Sequence, residues 1–137
     1  MPRYAAERVL LASLEEVWAF VAEPYNLSDW WPGISGVQPD QRGFAEGARW
    51  HVQGPGYFRR PDAPQLLVVK EIRPMRRFAF ELVRERLAAE VELRVEDASR
   101  TAVTVAVSGR FLIGPRSRIA KDAVNRLYDL VQTAAEL

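Results

Sequence analysis

Along residues 87–96 apolar and polar side chains take turns. Ala89, Val91, Leu93 and Val95 fall on one side of the chain, and Glu90, Glu92, Arg94 and Glu96 on the other. A period of two demands a strand with one buried and one wet face. The pattern returns in residues 101–111, where Val103, Val105, Val107, Gly109 and Phe111 share a face and Thr104, Ser108 and Arg110 take the other. Further strands are expected at 4–11, 34–37, 48–53, 65–72 and 77–84, set apart by turn signals such as Gly43 and Gly47.

Helical spacing appears at two places. Leu14, Val17, Trp18 and Val21 recur at i, i+3, i+4 and i+7 behind Ser13, with Glu16 three residues on as in a capping box. Pro24 then ends that helix or opens a second short one through Asp29, and Trp30-Trp31-Pro32-Gly33 stops the pattern. After Gly114-Pro115 no glycine or proline follows, and Ala120, Val124, Leu127, Val131 and Ala134 predict a helix of about five turns. Ala123, Tyr128 and Leu130 widen its stripe beyond what a surface helix needs, so it is expected deep in the concave side of the sheet. No linker, repeat or low-complexity tract interrupts the chain, and 1–137 reads as one α+β domain.

Hydrophobic residues make up 48% of the sequence and the formal charge is +1, with both signs interspersed, so no nucleic-acid partner is expected. Cysteine is absent, which excludes disulfides, thiolate metal sites and a cysteine nucleophile. No apolar run approaches the ~20 residues that span a bilayer, and the start lacks a signal-peptide pattern. A cytoplasmic protein without integral membrane association, either a monomer or a homodimer, is the expectation.

One strand, two short helices, an antiparallel meander and a long last helix form a distinctive order. With it go Glu16-Val17-Trp18 on the first helix, Asp29-Trp30-Trp31-Pro32 after the second, Glu46-Gly47-Ala48-Arg49 entering a strand and Ile72-Arg73-Pro74 at a hairpin corner. Over essentially its full length the chain resembles the START-like, or SRPBCC, superfamily, in its polyketide cyclase/dehydratase-like branch. That resemblance implies a helix-grip fold of about seven strands. It leaves activity open, because the superfamily spans cyclases, lipid and sterol carriers, allergens, quinone-binding proteins and stress-response adaptors.

The candidate lining of an interior space is apolar: Trp50, Phe78, Phe80, Leu82, Val91, Leu93, Val103, Val105 and Phe111 from strands, and Val124, Leu127 and Tyr128 from the last helix. Such a wall favours a hydrophobic or aromatic ligand, lipid-, quinone- or polyketide-like, which the Tyr128 hydroxyl would orient. Trp30 and Trp31 either bracket the cavity mouth or pin the helical V to the sheet. Residues 54–64, rich in Gly and Pro yet carrying Tyr57 and Phe58, read either as a portal or as a long hairpin connection.

His51, the only histidine, should face outward with Arg49 and Gln53; with the opposite twist it becomes the available proton shuttle. His51 and Tyr128 are the catalytic candidates. No paired carboxylates face one another across the expected interior, no metal-ligand spacing is present, and no cofactor motif occurs. Three functions remain: a carrier or binder of a small hydrophobic molecule, a cyclase/dehydratase-like enzyme, and a protein-interaction module.

Overall fold

The structure, a computed structural model, describes residues 2–53, 65–110 and 112–136. Tyr57, Phe58 and Phe111 of the expected lining therefore lie outside the described residues, as does the whole 54–64 segment. Seven strands, β1 (Arg3–Leu10), β2 (Gly36–Gln38), β3 (Arg49–Gln53), β4 (Gln65–Arg73), β5 (Arg77–Leu82), β6 (Leu87–Asp97) and β7 (Arg100–Gly109), form one antiparallel sheet. Its order is β1-β7-β6-β5-β4-β3-β2, so every neighbouring pair except β1 and β7 is consecutive along the chain. Three helices accompany it: α1 (Leu14–Val21), α2 (Leu27–Trp30) and α3 (Ile119–Glu136), with 3-10 turns at Pro24–Asn26 and Gly114–Arg118. This is the expected α+β, helix-grip arrangement.

The start of α1 follows from its cap. Ser13 is extended, its Oγ accepts from the Glu16 backbone N–H at 3.2 Å, and its hydroxyl donates to Glu16 Oε1 at 3.0 Å. One of the orphan donors of the first turn is thereby satisfied. Val17 and Val21 then fall on the buried side, with Leu14 and Trp18 partly buried against the same core.

Where the elements depart from expectation, local geometry explains it. The second strand begins at Gly36 and not at 34, because Ile34 N–H closes a turn onto Trp31 O at 3.4 Å, around Gly33 at φ 86°. Only glycine takes that left-handed conformation without strain. Likewise β5 stops at Leu82, since residues 83–86 turn back through Arg86 N–H to Val83 O.

Curvature has a visible source in β4, whose pairing with β5 shifts register between Val69 and Glu71. An extra residue on one strand bends it and increases local twist. The concave side then carries Phe78, Phe80, Leu82, Val91, Val103 and Val105, each at most 2% exposed. Onto it pack Ala120, Ala123, Val124 and Leu127 of α3, all buried. Full burial of each large apolar side chain contributes about 1.5–3 kcal/mol, which makes this face the main source of stability.

On the convex side the same strands carry charge. Arg77 bonds Glu71 at 2.8 Å, Glu92 at 2.6 Å and Glu90 at 3.1 Å, while Arg94 reaches Glu7 at 3.1 Å. Thr104 Oγ1 also donates to Glu7 at 3.1 Å. From Leu87 to Leu93 the alternation thus becomes a wall with an oily inside and an ionic outside, whereas Val95, expected on the inner face, is exposed.

Candidate functional site

The candidate site is the concave side of the sheet beneath α3. Its half nearest β3, β4 and β5 is aromatic. Phe78 lies 5.0 Å from Phe80, 6.0 Å from Trp50 and 4.8 Å from Phe44, measured between ring centroids. Phe80 meets Trp31 edge-on at 5.0 Å, and Trp31 in turn meets Trp30 edge-on at 5.6 Å. Such tilted and edge-to-face contacts are the ones the ring quadrupole favours. The half formed by β6, β7 and α3 is aliphatic, with Val91, Leu93, Val103, Val105, Val124 and Leu127 buried.

Trp30, Trp31, Trp50, Phe78 and Phe80 are thus brought into one continuous array. Trp30 and Trp31 are 0% and 1% exposed, so both are enclosed between the helical V and the sheet. Phe44 belongs to the same array and was not among the expected lining. It touches Trp18 at 5.7 Å as well as Phe78 and Trp50, closing the cluster on its outer side. An aromatic residue held between Gly43 and Gly47 was the available signal, because a turn tip facing only water has no use for a phenyl ring.

The polar groups near this interior are few and specific. Trp50 Nε1 donates to Gly43 O at 2.8 Å, and the buried Thr101 hydroxyl donates to Ala12 O at 2.9 Å. Trp30 Nε1, by contrast, is buried and meets no acceptor among the described residues. Tyr128 is partly buried at the junction of α3 and β1, with the Arg8 guanidinium 3.6 Å above its ring. Arg8 Nη1 also donates to Asn125 Oδ1 at 2.8 Å, so a cation and an amide flank Tyr128. Neither Arg8 nor Asn125 stood out in the sequence.

His51 is exposed on β3, in register with Gln38 and Leu66, while its neighbours Trp50 and Val52 are buried. The structure therefore separates the two catalytic candidates: one faces out from β3 and the other sits by β1. Among the described residues no three or more His, Asp or Glu side chains gather where a metal ion could be held. No described helix is long and apolar enough to cross a membrane.

Perturbed titrations belong to the exposed side. Backbone N–H groups, Arg49's foremost, hold the Asp40 carboxyl below its ordinary value, and the Ser99 N–H does the same for Asp97 with help from Arg100. The hydrogen bond to Glu90, reinforced by Glu92 and Glu71, raises Arg77. Two open depressions also lie outside. One of about 230 Å³ is lined by Arg73, Arg76, Arg77, Glu92, Leu93, Arg94 and Thr104, and one of about 390 Å³ by Glu81, Arg86, Ala88, Ser108 and Arg110. Charged side chains make up most of both linings, which does not suit an oily guest.

Known proteins give the arrangement its context. A protein from Deinococcus radiodurans superposes with a TM-score of 0.71 at 18% identity, covering 99% of this chain and 100% of its own. XoxI of Bacillus cereus gives 0.76 at 12% identity, over 98% and 99% of the two chains. A START superfamily protein from Mycobacterium smegmatis gives 0.70 at 12% identity, over 98% and 97%. At such identities the likeness establishes the fold alone. No curated protein matches in sequence. The family model described as "Polyketide cyclase / dehydrase and lipid transport" matches residues 1–134, and the chain belongs to that family.

Proposed function

We propose that this chain binds a small hydrophobic or aromatic molecule, lipid-, quinone- or polyketide-like, between the concave sheet and α3. The observation that carries the reading is the wall itself. From Trp30 through Phe80 and Phe78 to Val91 and Val105, buried apolar side chains form one continuous cluster. Apolar walls with a few placed polar groups select ligands by shape and hydrophobicity. The family, which includes lipid transport, and the START-like neighbour support a ligand-binding use of this fold.

In this reading the small molecule is the partner, nucleic acid is not, and the protein works in the cytoplasm as a monomer or homodimer. A cyclase-like reaction would need proton-moving groups facing the guest, and the outward placement of His51 gives it none from that residue. Docking of a partner protein on the convex sheet face is disfavoured by the ionic network around Arg77 and Arg94.

The test is a thermal-shift series with fatty acids, quinones, sterols and flavonoids, joined to native mass spectrometry of the purified protein. A ligand that binds only the folded state raises apparent stability by RT ln(1 + [L]/Kd), about 2.7 kcal/mol at a hundredfold excess over Kd. At least one class should raise the melting temperature in proportion to the logarithm of its concentration. No shift with any class, together with a ligand-free mass, would remove the proposal.

A further inference from the structure

The two charged depressions on the convex face differ in how their charges are matched. In the one around Arg77, glutamates hold the arginines: Glu71 bonds Arg73 and Arg77, Glu90 and Glu92 bond Arg77, and Glu7 and Glu96 bond Arg94. The other, of about 390 Å³, is lined by Arg86 and Arg110 with Glu81, Ala88 and Ser108. Its carboxylate, Glu81, is engaged by Lys70 at 3.5 Å, and among the described residues neither Arg86 nor Arg110 forms an ion pair. The register of the sheet makes this costly. Leu87 pairs with Gly109 and Ala88 with Ser108, so the next step of the same ladder sets Arg86 opposite Arg110. Like charges directly opposite one another destabilise a sheet. Arg86 also takes a positive φ, 51°, which glycine adopts without strain. Its turn is held firmly: Arg116 Nη2 donates to Glu85 O at 2.9 Å, and the Arg86 carbonyl oxygen lies so near Gly109 that a Cβ there would be 2.9 Å from it. The fold thus keeps two guanidiniums over one depression, without a counter-charge and with a strained turn.

We propose that this depression binds a phosphate monoester, with Arg86 and Arg110 pairing phosphate oxygens and the Ser108 hydroxyl donating to another. Guanidinium forks match phosphate oxygens, and charge-assisted bonds of this kind are the strong ones. A dianion balances two cations, and its three terminal oxygens use all three donors; a carboxylate carries one charge and two oxygens and matches neither count. Ala88, with no side chain beyond Cβ, leaves the floor between the donors open. An anion seated there turns the opposition of Arg86 and Arg110 into shared attraction. Strain of this sort at a turn residue belongs with a side chain that has a task, since a plain hairpin corner is better served by glycine. The site lies on the face of the sheet away from α3, so it stands or falls independently of the hydrophobic-guest reading.

The test is a phosphorus NMR titration of inorganic phosphate and of phenyl phosphate at low ionic strength, on the wild-type chain, Arg86→Gly, Arg110→Gln and, in the other depression, Arg76→Gln. Wild type should saturate. Arg86→Gly and Arg110→Gln should each weaken binding about tenfold, the loss of one charge-assisted contact, and Arg76→Gln should leave it unchanged within about twofold. Both site positions are exposed, and glycine suits the φ of residue 86, so the variants should fold. In phosphate-free buffer Arg110→Gln should melt no lower than wild type, because it relieves the opposition of like charges. Vesicles of phosphatidylcholine with phosphatidic acid identify the source. Cosedimentation that the two site variants lose assigns a lipid headgroup, whereas saturation by phenyl phosphate without cosedimentation assigns a soluble phosphate ester; either supports the site. Absence of saturation in the wild type, affinities that the site variants leave unchanged, or a lower melting temperature for phosphate-free Arg110→Gln would overturn it.

Discussion

Replacing Phe78 with alanine probes the aromatic array at its centre. Phe78 is 1% exposed and touches three other rings, Phe44, Trp50 and Phe80, at 4.8, 6.0 and 5.0 Å. Each such ring pair contributes about 0.5–1.5 kcal/mol beyond the area it buries. Truncation also removes the transfer energy of the phenyl group and leaves a void that surrounding rings fill only in part, so Phe→Ala in a core costs about 3–5 kcal/mol. For a domain of this size that corresponds to a fall in melting temperature of roughly 10–20 °C. Urea titration should show the midpoint moving down with an unchanged slope, since the folded and unfolded surfaces stay nearly the same. The new void should be dry and apolar, so adding benzene should restore part of the lost stability, as binding to the folded state alone requires. A loss below about 1 kcal/mol, or no recovery with benzene, would mean that Phe78 is not enclosed as described.

Two further outcomes test the scaffold. Gly109→Ala should destabilise by about 1–3 kcal/mol in urea, because the added Cβ would lie 2.9 Å from the carbonyl oxygen of Arg86, a backbone atom that cannot swing aside; an unchanged midpoint would refute the close approach. Asp40→Asn should lower the melting temperature at pH 7 by an amount that shrinks on acidification. The folded carboxyl lies below its unfolded value of 3.8, so its contribution is present above that pH and is lost as pH falls through the folded value; a difference that stays constant from pH 7 to 2 would refute it.

The readable parts of this fold were those written in short-range pattern. Ser13 and Glu16 announced the start of α1, and the alternation of residues 87–96 announced both a strand and the sign of its two faces, because caps and pleats depend on neighbours two to four residues away. The joining of Trp31, Phe80, Phe78 and Trp50 into one array was visible only in outline, since facing strands set it. The Arg8, Asn125 and Tyr128 group was not visible at all. Its members come from β1 and α3 at opposite ends of the chain, and no local period marks a contact between them. Phe44 stayed hidden for a related reason: glycines on both sides identify a turn but not the direction its side chain takes.

The order of the sheet has a consequence for how the chain assembles. Five of its pairings are ladders between successive strands, which can zip as each hairpin leaves the ribosome; the sixth joins Arg3 to Ser108 and Leu10 to Thr101. With about a hundred residues to be made between the two halves of that seam, at about 5–20 residues per second, β1 waits roughly 5–20 s for a partner. Arg3, Glu7 and Arg8 keep the waiting strand hydrated. In the finished fold Arg8 lies over Tyr128, so the strand that closes the sheet against β7 is also tied to the final helix.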